Sequence, residues 1–343
     1  DSSTSRGLGD VYKRQVIHNT IQTNGTLLNR EWARFFRENN FLVGISLDGP
    51  KDIHDKYRKD KGGFPTFDKV MNGLNILKGE GVEFNTMSTV NHASEGRGLE
   101  TYLFLREVGS GFMQFMPVVE HVKYPLDGAG KPDKKKRPFI VDPKADGAMI
   151  APWSVSDVGY GRFLCGIFDY WVRNDVGRIF VTNFDATLAT WVGEMPGTCT
   201  FAQTCGGNSV IEHNGDLYPC DHFVYKDYLL GNITEKPIAE MMRSDKQTAF
   251  GIDKRNKLPT KCLKCEWLFA CNGECPKHRF NTYESRQGRG GVRIETGLNA
   301  LCDGYKMFFS HVAPYMDYMK DLLSRKMPPA YVIPWARTNS RRI

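Results

Sequence analysis

Eight of the nine cysteines in this 343-residue chain fall between Cys199 and Cys302, and their spacing constrains the fold more than any other feature. Cys262-Leu-Lys-Cys265 is followed by Cys271 and Cys275, and then by a distant Cys302. Upstream stand Cys199, Cys205 and Cys220, the last followed at once by Asp221. Thiols clustered at ligand-like distances along a chain with no secretory pattern argue for metal rather than disulfides. Eight of them make two sets of four, hence two tetrathiolate centres. Zinc and iron–sulfur clusters take the same ligands, so spacing alone leaves the metal open. Asp221 by itself reads equally as a turn or capping carboxylate.

The rest of the composition is that of an ordinary globular protein, long enough for one large domain or two. No run of eighteen apolar residues occurs, so no membrane span is expected and the chain is read as cytoplasmic. The net charge of +7 resides in two segments, Lys131–Arg137 and Arg337–Ile343. Neither interleaves aromatics with its basic residues, so both are read as solvated loop and tail, not as a nucleic-acid surface.

From Val16 onward strand and helix patterns alternate. Val16–Thr23 ends in the turn pair Asn24-Gly25. Leu28–Asn39 has helical period, with Trp32, Phe35 and Phe36 on one face. Phe41–Leu47 is a near-continuous apolar run, as in a strand buried on both faces of a parallel sheet. The spacing then predicts a helix over Phe67–Lys78, a strand over Val82–Val90, a helix over Gly98–Val108 and a strand over Gly111–Val119. A loop over His121–Met149, a helix over Val155–Arg173, a strand over Arg178–Phe184 and a helix over Ala186–Gly193 follow. Cys165 lies among apolar neighbours in the long helix and reads as a buried structural thiol. Repeated βα units imply a parallel sheet, with the ligand site at the carboxyl ends of its strands.

Beyond Pro196 the βα rhythm stops. Val210–His213 and Asp216–Cys220 flank Asn214-Gly215, a strong hairpin signal that returns Cys220 toward Cys205. A short strand over Leu230–Ile233 and a helix over Ile238–Ser244 precede the C-terminal cysteines.

The combination Cys199-x5-Cys205-x14-Cys220-Asp221, Cys262-x2-Cys265-x5-Cys271-x3-Cys275, Cys302 resembles the SPASM domain of radical SAM peptide-modifying enzymes. Ile21–Thr26, Phe41–Pro50, Tyr218–Asp221, Leu230–Ile233 and Leu268–Cys275 are most similar to anaerobic sulfatase-maturating enzymes. The resemblance implies a partial (β/α)6 barrel over 16–195, a SPASM domain over 196–310, and a C-terminal helix and tail over 311–343. It also implies two auxiliary [4Fe–4S] clusters, one on Cys199, Cys205, Cys220 and Cys275, the other on Cys262, Cys265, Cys271 and Cys302. Asp221 matches the catalytic base. Ser46, Arg58 and Val119 match positions that bind S-adenosylmethionine, and Gly25 is a rim glycine beside them.

Radical SAM chemistry needs a Cys-x3-Cys-x2-Cys triad, and no cysteine precedes Cys165. The first βα units are therefore expected to be missing, with Asp1–Gln15 a foreign or disordered start, and the chain is expected not to generate a radical alone. In the complete enzyme a third [4Fe–4S] cluster would cleave S-adenosylmethionine. The resulting radical would take a Cβ hydrogen from a cysteine or serine of an unfolded sulfatase, giving Cα-formylglycine. An electron donor such as ferredoxin or flavodoxin is implied. The alternatives are another SPASM maturase that forms thioether or carbon–carbon crosslinks, and a zinc-stabilised peptide-binding module.

Overall fold

In the computed structural model, which describes residues 18–287 and 291–339, the βα alternation is realised with shifted boundaries. The expected foreign start Asp1–Gln15 lies outside the described residues. Strand β1 is Thr20–Thr23, helix α1 Arg30–Glu38, β2 Leu42–Ser46, α2 Lys51–Tyr57, α3 Phe67–Gly79, β3 Phe84–Val90, α4 Gly98–Glu107 and β4 Phe112–Pro117. Asn29 starts α1 by accepting the Trp32 amide at 2.9 Å, which satisfies one of the free N–H groups of the first turn.

Two expectations for these elements need correction. Only Phe36 and Ala33 of α1 are buried, while Trp32 and Phe35 remain about half exposed, so the apolar face is narrower than the sequence implies. Strand β2 is not uniformly buried: Val43 and Ile45 face the core, Leu42 is exposed, and Gly44 and Ser46 are half-buried. Gly44 leaves room for the Gln22 side chain, whose Nε2 donates to Ser46 Oγ at 3.1 Å. Helix α2 has no counterpart in the sequence reading, because only Ile53 and His54 are buried in it and no period of 3.6 develops.

The stretch His121–Met149, expected to be a loop, contains β5 (His121–Lys123), β6 (Phe139–Ile140) and β7 (Met149–Ile150). These form a small antiparallel sheet in the order β6-β5-β7, with each outer strand only two residues long and hence below the reach of pattern reading. Helix α5 (Asp157–Asn174) follows, with Cys165 buried within it, then β8 (Phe180–Val181) and α6 (Thr182–Trp191). The strand expected over Arg178–Phe184 is two residues long, and Phe184 belongs to the helix, where it is fully buried.

The chain divides into two compact units. The first holds the residues up to Thr89, Leu99–Met116 and Arg178–Val181. Its five-stranded sheet runs β1-β2-β3-β4-β8, and the registers that pair β1 with β2, β2 with β3 and β4 with β8 are parallel. The Phe112 and Phe180 rings stack across β4 and β8, with centroids 4.8 Å apart.

The second unit holds Val90–Gly98, Pro117–Gly177 and Thr182–Ile343. Past α6 come the hairpin strands β9 (Val210–Ile211) and β10 (Asp216–Tyr218), joined through Gly215 at φ 87°, with β11 (Gly231–Asn232) on the far side of β10. Short helices α7 (Ile238–Met242), α8 (Asp245–Asn256), α9 (Thr260–Leu263) and α10 (Leu268–Cys271) lead into a long hairpin of β12 (Arg279–Gln287) and β13 (Gly291–Asn299). Helix α11 (Cys302–Ser324) and α12 (Val332–Thr338) close the chain.

The core of this unit is the crossing of α5 and α11. A Cβ on Gly161 would stand 2.6 Å from Gly304 O, so both glycines are needed where the backbones meet. Around the crossing, Phe168, Trp171, Phe184 and Phe308 pack edge-on, tilted or stacked with centroids 5.1 to 6.3 Å apart. Burial of that aromatic surface stabilises the scaffold that holds Cys302.

Candidate metal centre

Cys262, Cys265, Cys271 and Cys302 line one pocket with a cavity volume of about 30 Å³. Each is delivered by a turn or a helix end. Cys262 lies in α9, and the Cys265 amide closes a turn onto Cys262 O at 3.0 Å. Cys271 is the last residue of α10, and Cys302 is the first of α11. Trp267, Leu298, Tyr305 and Phe309 supply the apolar wall. Burial raises the thiol pKa at Cys262, Cys271 and Cys302, so the thiolate form needs a cation to bind.

The other four also form a set. Cys205 and Cys220 lie in the electrostatic field of Cys199, and Cys275 in that of Cys220 and Cys199. Burial is again the largest cause of their raised pKa values, with Cys220 pushed up to about 12. Cys205 is tied to α8 through its amide, which donates to Gly251 O at 3.2 Å. Among the described residues, no three Cys, His, Asp or Glu side chains close on a single ion. A four-iron cluster asks for something different, since each thiolate meets its own iron. The donor chemistry, with four thiols lining one pocket, fits such a group.

Asp221 opens a single turn of 3-10 helix, Asp221–Phe223, and is exposed. The Cys220 thiol donates to Asp221 Oδ1 at 3.3 Å, and Cys220 Sγ accepts the His222 amide at 3.5 Å. The His222 ring reaches the other way, with Nδ1 3.4 Å from Cys275 Sγ. Burial lowers the His222 pKa, keeping the ring neutral. An exposed carboxylate thus stands one residue from the Cys220 thiol.

Cys271 and Cys275 belong to different sets, and three residues join them. Asn272, Gly273 and Glu274 all adopt positive φ, at 47°, 71° and 53°. Such a left-handed turn is unfavourable for two non-glycine residues in three, and Arg279 holds it by engaging its three carbonyls. The Arg279 guanidinium donates to Gly273 O (Nε, 2.8 Å), Asn272 O (Nη2, 2.8 Å), Glu274 O (Nη2, 3.1 Å) and Lys254 O (Nη1, 2.5 Å). Glu274 is fully buried. Burial alone would raise its pKa, but the His278 charge and hydrogen bond at 2.9 Å and the Asn299 amide at 2.6 Å outweigh that and hold it near about 2. Lys254 is also buried, and its Nζ donates to Cys199 O and, at 2.8 Å, to Thr200 O.

The residues expected to bind S-adenosylmethionine do not all fall in one unit. Gly25, Ser46 and Arg58 belong to the first. Gly25 sits at φ 72° just past β1, Ser46 ends β2, and Arg58 forks onto Asp48 at 2.6 and 2.9 Å. Val119 belongs to the second unit and is buried there.

Residues 199–266 match the SPASM iron–sulfur cluster-binding domain, and residues 6–105 match the radical SAM superfamily. The serine-type anaerobic sulfatase-maturating enzyme of Bacteroides thetaiotaomicron is 49% identical over 96% of this chain and 76% of its own length. The chain belongs to the anaerobic sulfatase-maturating enzymes. The cysteine-type family member of Clostridium perfringens is 33% identical over 88% of this chain and 74% of its own. The solved structure of native anSMEcpe with bound AdoMet superposes with a TM-score of 0.74 at 30% identity, covering 91% of this chain and 78% of that one. The same protein with AdoMet and the Kp18Cys peptide gives a TM-score of 0.72 at 30% identity, covering 90% and 77%.

Within this sulfatase-maturating chain, sequence reasoning missed His222, Lys254 and Arg279. Lys254 lies in α8, where no apolar period advertises a buried face, and its partner carbonyls are more than fifty residues away. Arg279 follows Cys275 by only four residues and could have been singled out by that proximity alone.

Proposed function

We propose that this chain supplies the substrate-facing half of the reaction that turns a serine or cysteine of a sulfatase into Cα-formylglycine, with Asp221 as the base. The observation that carries it is the exposed Asp221 carboxylate beside Cys220, with Oδ1 3.3 Å from the sulfur. Cys199, Cys205, Cys220 and Cys275 would hold one [4Fe–4S] cluster, and Cys262, Cys265, Cys271 and Cys302 the other. When bound, these clusters supply an electron acceptor.

The chain's own residues do the rest. Asp221 takes the hydroxyl or thiol proton of the target side chain, and its exposure lets an extended polypeptide reach it. His222, neutral and directed at Cys275, keeps the turn that presents Asp221 fixed to the hairpin and to the C-terminal cysteine loop together. The 49% identity to a serine-type enzyme favours serine as the target. Gly25, Ser46, Arg58 and Val119 are each proposed as S-adenosylmethionine contacts, with Arg58 held in place by its Nε and Nη2 bonds to Asp48. No cysteine precedes Cys165, so the residues present do not fit a third cluster and no step is assigned to one. Ferredoxin or flavodoxin as electron carrier and a cytoplasmic location complete the reading; among the described residues no helix is long and apolar enough to cross a membrane.

The test joins the radical-generating segment of the Bacteroides relative to this chain and replaces Asp221 by Asn. The expected result is unchanged S-adenosylmethionine cleavage and iron content with formylglycine yield, weighed on a sulfatase peptide, at least a hundredfold lower. Parent yield in the variant would overturn the role of Asp221, and a crosslinked peptide in the parent would replace the reaction.

A further inference from the structure

Lys254 and Arg279 are two cations placed where burial is costly. Lys254 is 1% exposed, and its Nζ hydrogen bonds go to the carbonyls of Cys199 and Thr200. Among the described residues no carboxylate stands within ion-pair distance of it. Taking an ammonium out of water without a counter-charge costs several kcal/mol, so a negative group is expected close by. Glu274 is the carboxylate that acts on it, though not through a hydrogen bond: its Oε2 faces His278 and Asn299, its Oε1 has no hydrogen-bond partner, and its one charge also acts on Arg279. What surrounds Lys254 otherwise is sulfur: Cys205 and Cys275 both contribute to its field.

Arg279 continues the same line of charge. Its Nη1 donates to Lys254 O at 2.5 Å, and its remaining hydrogen bonds hold the three carbonyls of the left-handed turn between Cys271 and Cys275. The thiols in its field come from both sets: Cys262 and Cys271 from one, Cys275 from the other. The turn has no slack for a replacement, since a Cβ on Gly273 would come within 2.6 Å of Arg279 Nη2.

We propose that Lys254 and Arg279 form a cationic strut between the two cluster sites that raises their reduction potentials, Lys254 acting on the Cys199 set and Arg279 on both. Four thiolates leave a [4Fe–4S] site net negative, and each added electron increases that charge. A fixed cation in a low-dielectric surrounding stabilises the reduced state more than the oxidised one, and so favours acceptance of an electron. Both are positioning residues, because neither touches substrate. The inference rests on reading the eight cysteines as two cluster sites.

The experiment is an EPR-monitored redox titration of the anaerobically reconstituted chain, with iron and sulfide measured in the same samples. Wild-type iron without sulfide, or zinc, refutes the cluster reading itself and is distinguishable from failure of the strut. With clusters in place, Lys254→Met is expected to lower the reduced-to-oxidised ratio at the wild-type midpoint at least tenfold, a shift of ~59 mV for one electron. Lys254→Arg, which keeps the charge, is expected to hold the wild-type midpoint. Arg279→Gln is expected to lower the potentials of both clusters, and Arg279→Lys less so. Unchanged midpoints in Lys254→Met or Arg279→Gln at full iron content overturn the proposal. If Lys254→Met loses its iron, restoration of iron and midpoint by Lys254→Arg supports the strut; failure to restore either overturns it, because charge is then not what the site requires.

Discussion

The Asp157 carboxylate, at the start of α5, caps the helix that carries Cys302: Oδ1 accepts the Gly304 amide at 2.6 Å and Oδ2 the Asp303 amide at 3.1 Å. Helix α11 has no capping bond from its own Leu301, so a residue 147 positions upstream provides one. The interaction neutralises free N–H groups and places a negative charge at the positive end of the helix dipole. Because Cys302 is the first residue of that helix, the cap also fixes one corner of a proposed cluster site.

Asp157→Ala is expected to destabilise the metal-free chain by about 1–2 kcal/mol, the usual worth of a good N-terminal cap. Chemical denaturation measures it. A stability equal to wild type would mean that solvent caps the helix as well as Asp157 does. Asp157→Asn, which keeps an acceptor, should lose less.

Gly161→Ala tests the helix crossing. The new methyl would press on Gly304 O at 2.6 Å, a contact with rigid backbone that only a shift of α11 can relieve. Overpacking of this kind costs about 1–3 kcal/mol. A melting temperature within error of wild type would show that α5 and α11 can separate without loss, and that the aromatic packing around them is looser than described.

Dissecting the two cysteine sets should divide the metal. Cys265→Ser with Cys302→Ser is expected to reduce iron and sulfide from about eight to about four of each per chain, leaving one four-iron centre. Cys205→Ser with Cys220→Ser should remove the other half. Loss of all iron from either double variant would show that the sets do not load independently, and iron unchanged in both would rule out these ligands.

Asp185 in α6 gives a pH-dependent prediction away from the cysteines. Burial pushes its carboxyl up from the ordinary aspartate range to about 6. The folded state therefore holds the proton more tightly than the unfolded one, and stability falls as pH rises from about 4 through about 6, then levels off. Asp185→Asn should remove that fall: little difference from wild type near pH 4, and a more stable variant at pH 7.5. Parallel denaturation curves at both pH values would contradict the burial argument.

How much of this was legible beforehand follows from the range of each interaction. The βα order, the Asn214-Gly215 turn and the cysteine inventory are local, written in period, turn chemistry and spacing, so the chain alone yields them. Strands of two residues carry no period, so β6 and β7 were invisible and β8 was legible only as a longer strand. The sequence by itself determined that eight thiols and Asp221 gather in one region as candidate ligands and a carboxylate. Only the tertiary structure decided what surrounds them: a lysine from α8 under Cys199, an arginine gripping the turn between Cys271 and Cys275, and an aspartate from α5 holding Cys302. Those partners are separated from the cysteines by up to 145 residues. A buried charge or an unsatisfied helix end accepts whichever polar group the fold brings near, so composition and spacing leave no trace of the choice.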